Sequence, residues 1–90
     1  MADDEKALAA LRQKIDVIDA KLVYLLCERS RLSLQAGVAK GGRNIHRPER
    51  EAEVMSNVVG ANRGPLSDEA LRATFRAILK ACRTIQHSKN

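Results

Sequence analysis

The stretch LAALRQKIDVIDAKLVYLL, residues 8–26, decides the fold of this chain. Its apolar residues recur at alternating steps of three and four, at Leu8, Leu11, Ile15, Ile18, Leu22 and Leu25. This spacing places them on one face of an α-helix. The same steps continue through Arg29 and Leu32 until Gly41 and Gly42, which predict the end of the helix. The sequence therefore predicts a first helix of about 35 residues, or about 50 Å, and such a rod needs a second chain to cover it.

Two shorter helices follow a linker at residues 41–47. Pro48 suits the first position of a helix, and an apolar face continues from Val54 to a stop near Gly60. Ser67 is a favourable N-cap for a third helix. The apolar residues of that helix recur at steps of four and three, at Leu71, Phe75, Ile78, Cys82 and Ile85. We predict an all-α fold with a long, a short and a medium helix, in a single domain at residues 1–90.

Composition and charge exclude several classes of protein. The chain has 90 residues and a net charge of +5, which favours an anionic partner. It has no apolar stretch of membrane-spanning length and no apolar signal segment, so we expect no membrane association and a cytoplasmic location. The cysteines and histidines are Cys27, His46, Cys82 and His87. They lack the spacing that metal ligands show in sequences, so we expect no metal site. The sequence shows no motif typical of a nucleophilic triad or of a glycine-rich phosphate-binding loop.

Two cations interrupt the apolar face of the first helix. Arg29 occupies a position in the apolar stripe, and Lys40 lies eleven residues further on, within about 20° of the same face. An unpaired cation that faces a core is costly, so each requires an anion. A small anion between them would lie within reach of both, because they are about 16 Å apart. Alternatively, each side chain extends to water or pairs with a carboxylate of a partner helix.

Three segments resemble the all-helical chorismate mutase family. They are ALRQKIDVIDAKLVYLLCERSRLSLQAGVAK at residues 10–40, RPEREAEVM at 47–55 and GPLSDEALRATFRAILKAC at 64–82. The second is similar to the version in bifunctional enzymes that fuse this domain to prephenate dehydratase or dehydrogenase. The third also resembles the dehydratase-fused proteins. The resemblance implies an intertwined homodimer that converts chorismate to prephenate, without a cofactor, on the route to phenylalanine and tyrosine.

The resemblance also implies roles for individual residues. Arg12 and Arg29 would hold the two carboxylates of this small dicarboxylate substrate. Lys40 would contact a carboxylate and the ether oxygen, and Gln86 would contact the same ether oxygen. Glu51 would bind the ring hydroxyl. Taken alone, Glu51 is an acid that stabilises a helix N-terminus, and Gln86 is an exposed residue near a C-terminus. The missing catalytic triad agrees with the family, because the rearrangement needs no nucleophile.

Three further positions complete the implied site. Arg50 matches a second-helix arginine of the family, and Cys82 falls where a small polar residue often lies near a carboxylate. Taken alone, Cys82 is a small buried hydrophobe. Arg47 departs from the family, since many relatives carry aspartate there. Arg12 and Arg29 are about 25 Å apart on one helix and cannot grip one substrate from the same chain, so Arg12 is either solvated or belongs to the second subunit's site.

Two other functions compete with the mutase. An isochorismate pyruvate lyase has the same fold and a similar cationic pocket, but the Pro-Glu-Arg-Glu start and the pair Glu51 and Gln86 favour the mutase. The other is a basic helical module that binds nucleic acid, which would cluster its basic residues on one face and stack bases on aromatics. Here the basic residues are spread along the chain, and Tyr24 and Phe75 are its only aromatics. We therefore expect no nucleic acid partner.

Overall fold

The computed structural model describes residues 2–41 and 47–88, with residues 2, 87 and 88 described by their backbone alone. These residues form three α-helices and no strand: α1 (Ala2–Ala39), α2 (Pro48–Gly60) and α3 (Asp68–Ser88). The predicted all-α fold with a long, a short and a medium helix is confirmed. The predicted stop at Gly42 and the side chains of His46 and His87 lie outside the described residues.

Two units divide the chain, Met1–Ser30 and Arg31–Asn90, and each is described by itself. The first contains the larger part of α1. The second contains the end of α1 together with α2 and α3. The single domain expected at residues 1–90 stays a prediction.

Helix α1 begins at Ala2, whereas the apolar pattern begins only at Leu8. Its first turn carries three acids, which stabilise the positive end of the helix dipole, at Asp3, Asp4 and Glu5. Helix α1 ends at Ala39, and Gly41 follows in the turn with a φ of 67°, in the left-handed region that glycine adopts without strain. The backbone N–H of Gly41 donates to the Val38 carbonyl at 2.9 Å, which closes the last turn.

Side chains cap the loop between α2 and α3. The Asn62 amide nitrogen donates to the Leu66 carbonyl at 3.0 Å and to the Asp68 carboxylate at 2.8 Å. Its amide oxygen accepts from the backbone N–H of Gly64 at 2.9 Å. The Ser67 hydroxyl oxygen accepts from the backbone N–H of Ala70 at 3.1 Å, so the predicted N-cap of α3 is confirmed.

Helices α2 and α3 pack against each other over a small core. Its buried side chains are Val54, Leu79 and Cys82. In the first unit, by contrast, the apolar stripe of α1 remains 46% to 59% exposed, at Leu8, Leu11, Ile15, Ile18, Leu22 and Leu25. Among the described helices, none is long and apolar enough to cross a membrane.

The N-cap of α3 gives a first test of the fold. We expect Ser67→Ala to lower the free energy of unfolding by about 1 kcal/mol, because the N–H of Ala70 loses its acceptor. Ser56→Ala is the matched control, because Ser56 is exposed in the interior of α2, and alanine favours a helix interior. Urea unfolding at one fixed protein concentration measures both changes. Equal stability of the two variants would contradict the capping role.

Candidate active site

Gln86 lies in the last turns of α3 and is half-buried. Its amide nitrogen donates to the Ser33 carbonyl oxygen at 2.7 Å and to the Ser33 hydroxyl oxygen at 3.1 Å. Both contacts lie within the second unit and join α3 to the end of α1. The amide is therefore held in one orientation by a residue of another helix, and it is not the exposed spacer that its position near the C-terminus would otherwise favour.

Gly37 of α1 lies against the Gln86 side chain. A Cβ added at Gly37 would lie 3.4 Å from the Gln86 amide nitrogen, against the side chain itself. A methyl group would make an ordinary van der Waals contact there, whereas a side chain larger than alanine would compete with Gln86 for the space. Ser33, Gly37 and Lys40 follow one another at steps of four and three, which places them on one face of the helix. Sequence reasoning named Lys40 and missed Ser33, although this spacing was visible.

Glu51 lies in the first turn of α2 and forms an ion pair with Arg83 of α3. The Arg83 guanidinium donates to one carboxylate oxygen of Glu51. The Arg83 side chain is only 30% exposed and that of Glu51 25%, so this pair is partly withdrawn from solvent. Sequence reasoning also missed Arg83, whose one signal is that it lies three residues before Gln86 on α3.

The other expected residues of the second unit lie in different environments. Lys40 is exposed in the turn after α1. Arg47 precedes α2 in an extended conformation, with φ −118° and ψ 93°, and its guanidinium lies 4.0 Å from the Glu49 carboxylate. Arg50 is exposed and pairs with Glu53 in its own helix. Cys82 is buried in the core between α2 and α3, with 6% of its surface exposed.

Arg12 and Arg29 both lie on the part of α1 that belongs to the first unit. Arg12 is exposed, and Arg29 is half-buried. Seventeen residues of continuous helix separate them, or about 25 Å, so they stand several turns apart. The first unit thus holds two of the expected cations, and the second unit holds the expected carboxylate and amide.

This second unit offers hydrogen-bonding chemistry rather than a nucleophile. Gln86 supplies amide N–H donors that do not depend on ionisation, and Glu51 supplies a carboxylate acceptor. Among the residues that the structure describes, no group of three or more histidine, cysteine, aspartate or glutamate side chains could hold a metal ion. The second unit thus holds one amide donor and one carboxylate acceptor, each fixed by a residue of another helix.

A comparison with known protein families gives the family of this chain. The family described as chorismate mutase type II matches residues 11–87, which is most of the chain. The chain belongs to this family. The matched residues include every expected site position, from Arg12 at one end to Gln86 at the other. No solved structure matches this mutase-family chain.

Relatives of the chain are named as bifunctional chorismate mutase/prephenate dehydratase. The protein from Neisseria gonorrhoeae is 35% identical over 91% of this chain and 23% of its own length. The one from Pseudomonas aeruginosa is 37% identical over 96% of this chain and 25% of its own length. The one from Aquifex aeolicus is 36% identical over 88% of this chain and 24% of its own length. The chain thus spans about a quarter of the length of these relatives.

The contact between Ser33 and Gln86 gives a second test. We expect Ser33→Ala to lower the free energy of unfolding by about 0.5–1.5 kcal/mol, because the Gln86 amide loses the hydroxyl acceptor. Ser30→Ala is the control: the Ser30 hydroxyl donates to the Leu26 carbonyl of its own helix at 2.7 Å. Guanidinium unfolding measures both. If Ser30→Ala is as destabilising as Ser33→Ala, the contact with α3 adds no stability.

Proposed function

We propose that this chain converts chorismate to prephenate by a concerted rearrangement that needs no cofactor. The observation that carries the proposal is the match to the chorismate mutase type II family over residues 11–87. Three relatives with chorismate mutase in their names are 35–37% identical over nearly the whole chain, which supports it further. The same names favour this reaction over isochorismate pyruvate lysis and over nucleic acid binding.

Gln86 and Lys40 are proposed to stabilise the transition state. Negative charge develops on the ether oxygen as its bond to carbon breaks, so a fixed donor lowers the barrier. The Gln86 amide nitrogen has two hydrogens and donates to Ser33 through both a shorter and a longer contact. The ether oxygen would replace the longer contact, to the hydroxyl at 3.1 Å, while the carbonyl at 2.7 Å keeps the amide in place.

The remaining roles follow from charge and position. Arg29 and Arg12 would each bind one substrate carboxylate, since a guanidinium matches a carboxylate in bidentate geometry. Glu51 would accept a hydrogen bond from the ring hydroxyl. These groups would hold an extended substrate in the folded geometry that the rearrangement requires.

The positions around this set have lesser proposed roles. Arg50 and Arg47 would add positive charge near the start of α2, and the thiol of Cys82 would lie near a carboxylate. We further propose that the protein acts in the cytoplasm, where its substrate would be a freely diffusing dicarboxylate.

A homodimer is proposed because the chain leaves its own apolar stripe uncovered. In the first unit, Leu11, Ile18 and Leu25 are each more than half exposed, on the face that should be buried. Burying such a side chain yields about 1.5–3 kcal/mol, which favours association of two copies. The distance of about 25 Å between Arg12 and Arg29 supports a shared site as well, since one small substrate cannot reach both on one helix. Each site would combine Arg29 of one subunit with Arg12 of the other.

Incubation with chorismate tests the proposed reaction. We expect prephenate as the product without added metal or cofactor, and at least a 100-fold lower kcat/KM in Arg29→Ala, about the cost of removing one partner of a buried charge pair. Arg76→Ala is the matched control, because Arg76 is exposed on α3 and carries the same charge. Mass spectrometry identifies the product, and circular dichroism checks that both variants remain helical.

Two outcomes would contradict this proposal. Salicylate and pyruvate formed from isochorismate, with no turnover of chorismate, would favour the lyase. Near-wild-type kcat/KM in Arg29→Ala would show that Arg29 does not bind the substrate.

Subunit exchange tests the shared site. Arg12→Ala and Arg29→Ala homodimers should each be nearly inactive, but a mixed dimer would have one site in which both arginines are present. After statistical exchange, half of the dimers are mixed, so activity should recover to about one quarter of the wild-type value. Differently tagged subunits confirm the exchange. No recovery among confirmed mixed dimers would show that Arg12 and Arg29 do not act across the subunit boundary.

A further inference from the structure

The ion pair between Glu51 and Arg83 differs from three local ion pairs in the part of the chain that the structure describes. Three local pairs join residues two or three positions apart on exposed stretches: Arg47 with Glu49, Arg50 with Glu53 and Arg72 with Glu69. Glu51 and Arg83 are 32 residues apart and join the start of α2 to the last turns of α3. Their side chains are also more shielded, at 25% and 30% exposure.

The position of this pair connects it to the site. Glu51 lies in the first turn of α2, and Arg83 precedes Gln86 by about one turn on α3. Both belong to the second unit, which also holds the Gln86 amide. A glutamate side chain has three rotatable bonds, and holding it in one rotamer costs conformational entropy. The Arg83 guanidinium already binds one Glu51 oxygen, so it restricts the glutamate side chain before any substrate binds. Less conformational entropy is then lost on binding.

Charge gives Arg83 a second effect. The proposed substrate carries two negative charges, and an unbalanced carboxylate nearby would repel it. The cation of Arg83 offsets the charge of Glu51 within a partly shielded pair. Arg83 therefore allows a carboxylate to serve as a hydroxyl acceptor in a site that must attract a dianion.

We propose that Arg83 is a positioning residue that orients Glu51 and balances its charge, so that Glu51 binds the substrate hydroxyl. The inference rests on the proposed mutase function and assigns Arg83 no contact with the reacting atoms. Orientation of this kind strengthens binding in the ground state and in the transition state alike. Its loss therefore raises KM and changes kcat little.

A double-mutant cycle on the full chain tests this role. We expect Arg83→Gln to raise KM for chorismate about tenfold, with kcat within about twofold of wild type, as for loss of one charged hydrogen bond. In a Glu51→Gln background, the same substitution should change KM by less than about twofold, because its target is already gone. Arg83→Lys, which keeps the charge, should recover most of the lost affinity.

Arg72→Gln is the matched control, because Arg72 lies on the same helix and pairs with Glu69 at 3.1 Å on the surface. It should leave KM and kcat unchanged. Urea unfolding of every variant separates a loss of folding from a loss of positioning. If Arg83→Gln does not fold, Arg83→Met takes its place in the same cycle, and a folded Arg83→Met variant with KM within about twofold of wild type would overturn the role.

The outcomes separate this inference from the function on which it rests. A wild-type chain without chorismate turnover would overturn both. An active wild type in which the effects of Arg83→Gln and Glu51→Gln multiply independently would overturn the positioning role alone. A fall in kcat at constant KM would also overturn it, because that pattern belongs to a group that acts only in the transition state.

Discussion

The uncovered apolar stripe of α1 is the constraint on which the proposed assembly depends. Residues such as Leu11 and Ile18 lie at helical spacing, yet in the single chain they remain 55% exposed. A surface of this kind is unfavourable in water and marks an association site. The same helix carries Arg12 and Arg29 about 25 Å apart. The proposed homodimer would bury this stripe, and it would also bring Arg12 of a second copy to each proposed site.

Within the second unit, polar contacts between helices orient the long polar side chains. Its buried core contains Val54, Leu79 and Cys82, which fix how α2 and α3 pack but leave long polar side chains free to rotate. Ser33 orients Gln86, and Arg83 orients Glu51. Each contact joins two helices, so the Gln86 amide and the Glu51 carboxylate are held by the tertiary fold rather than by their own helices.

The sequence predicted the elements more fully than the contacts. Periodic apolar residues, Pro48 and Ser67 located the three helices, because these signals are local. The early start of α1 at Ala2 was missed, since acids and alanines favour a helix without extending the apolar stripe. Ser33 and Arg83 were missed for a different reason: their partners are 53 and 32 residues away, and periodicity reports a face but not the residue opposite it.

Gln86 shows how an apparently occupied donor can serve the proposed chemistry. A donor free in water would have to be ordered and desolvated when the substrate binds, and both steps cost free energy. The Gln86 amide is already ordered and half-buried in the folded chain, because it donates to the Ser33 carbonyl at 2.7 Å. Most of this free-energy cost therefore does not arise when the substrate binds. The second contact, at 3.1 Å to a hydroxyl, is the longer one, and the hydroxyl can rotate to another partner. An ether oxygen that gains negative charge is a stronger acceptor than a neutral hydroxyl, so the exchange becomes most favourable as the transition state is reached.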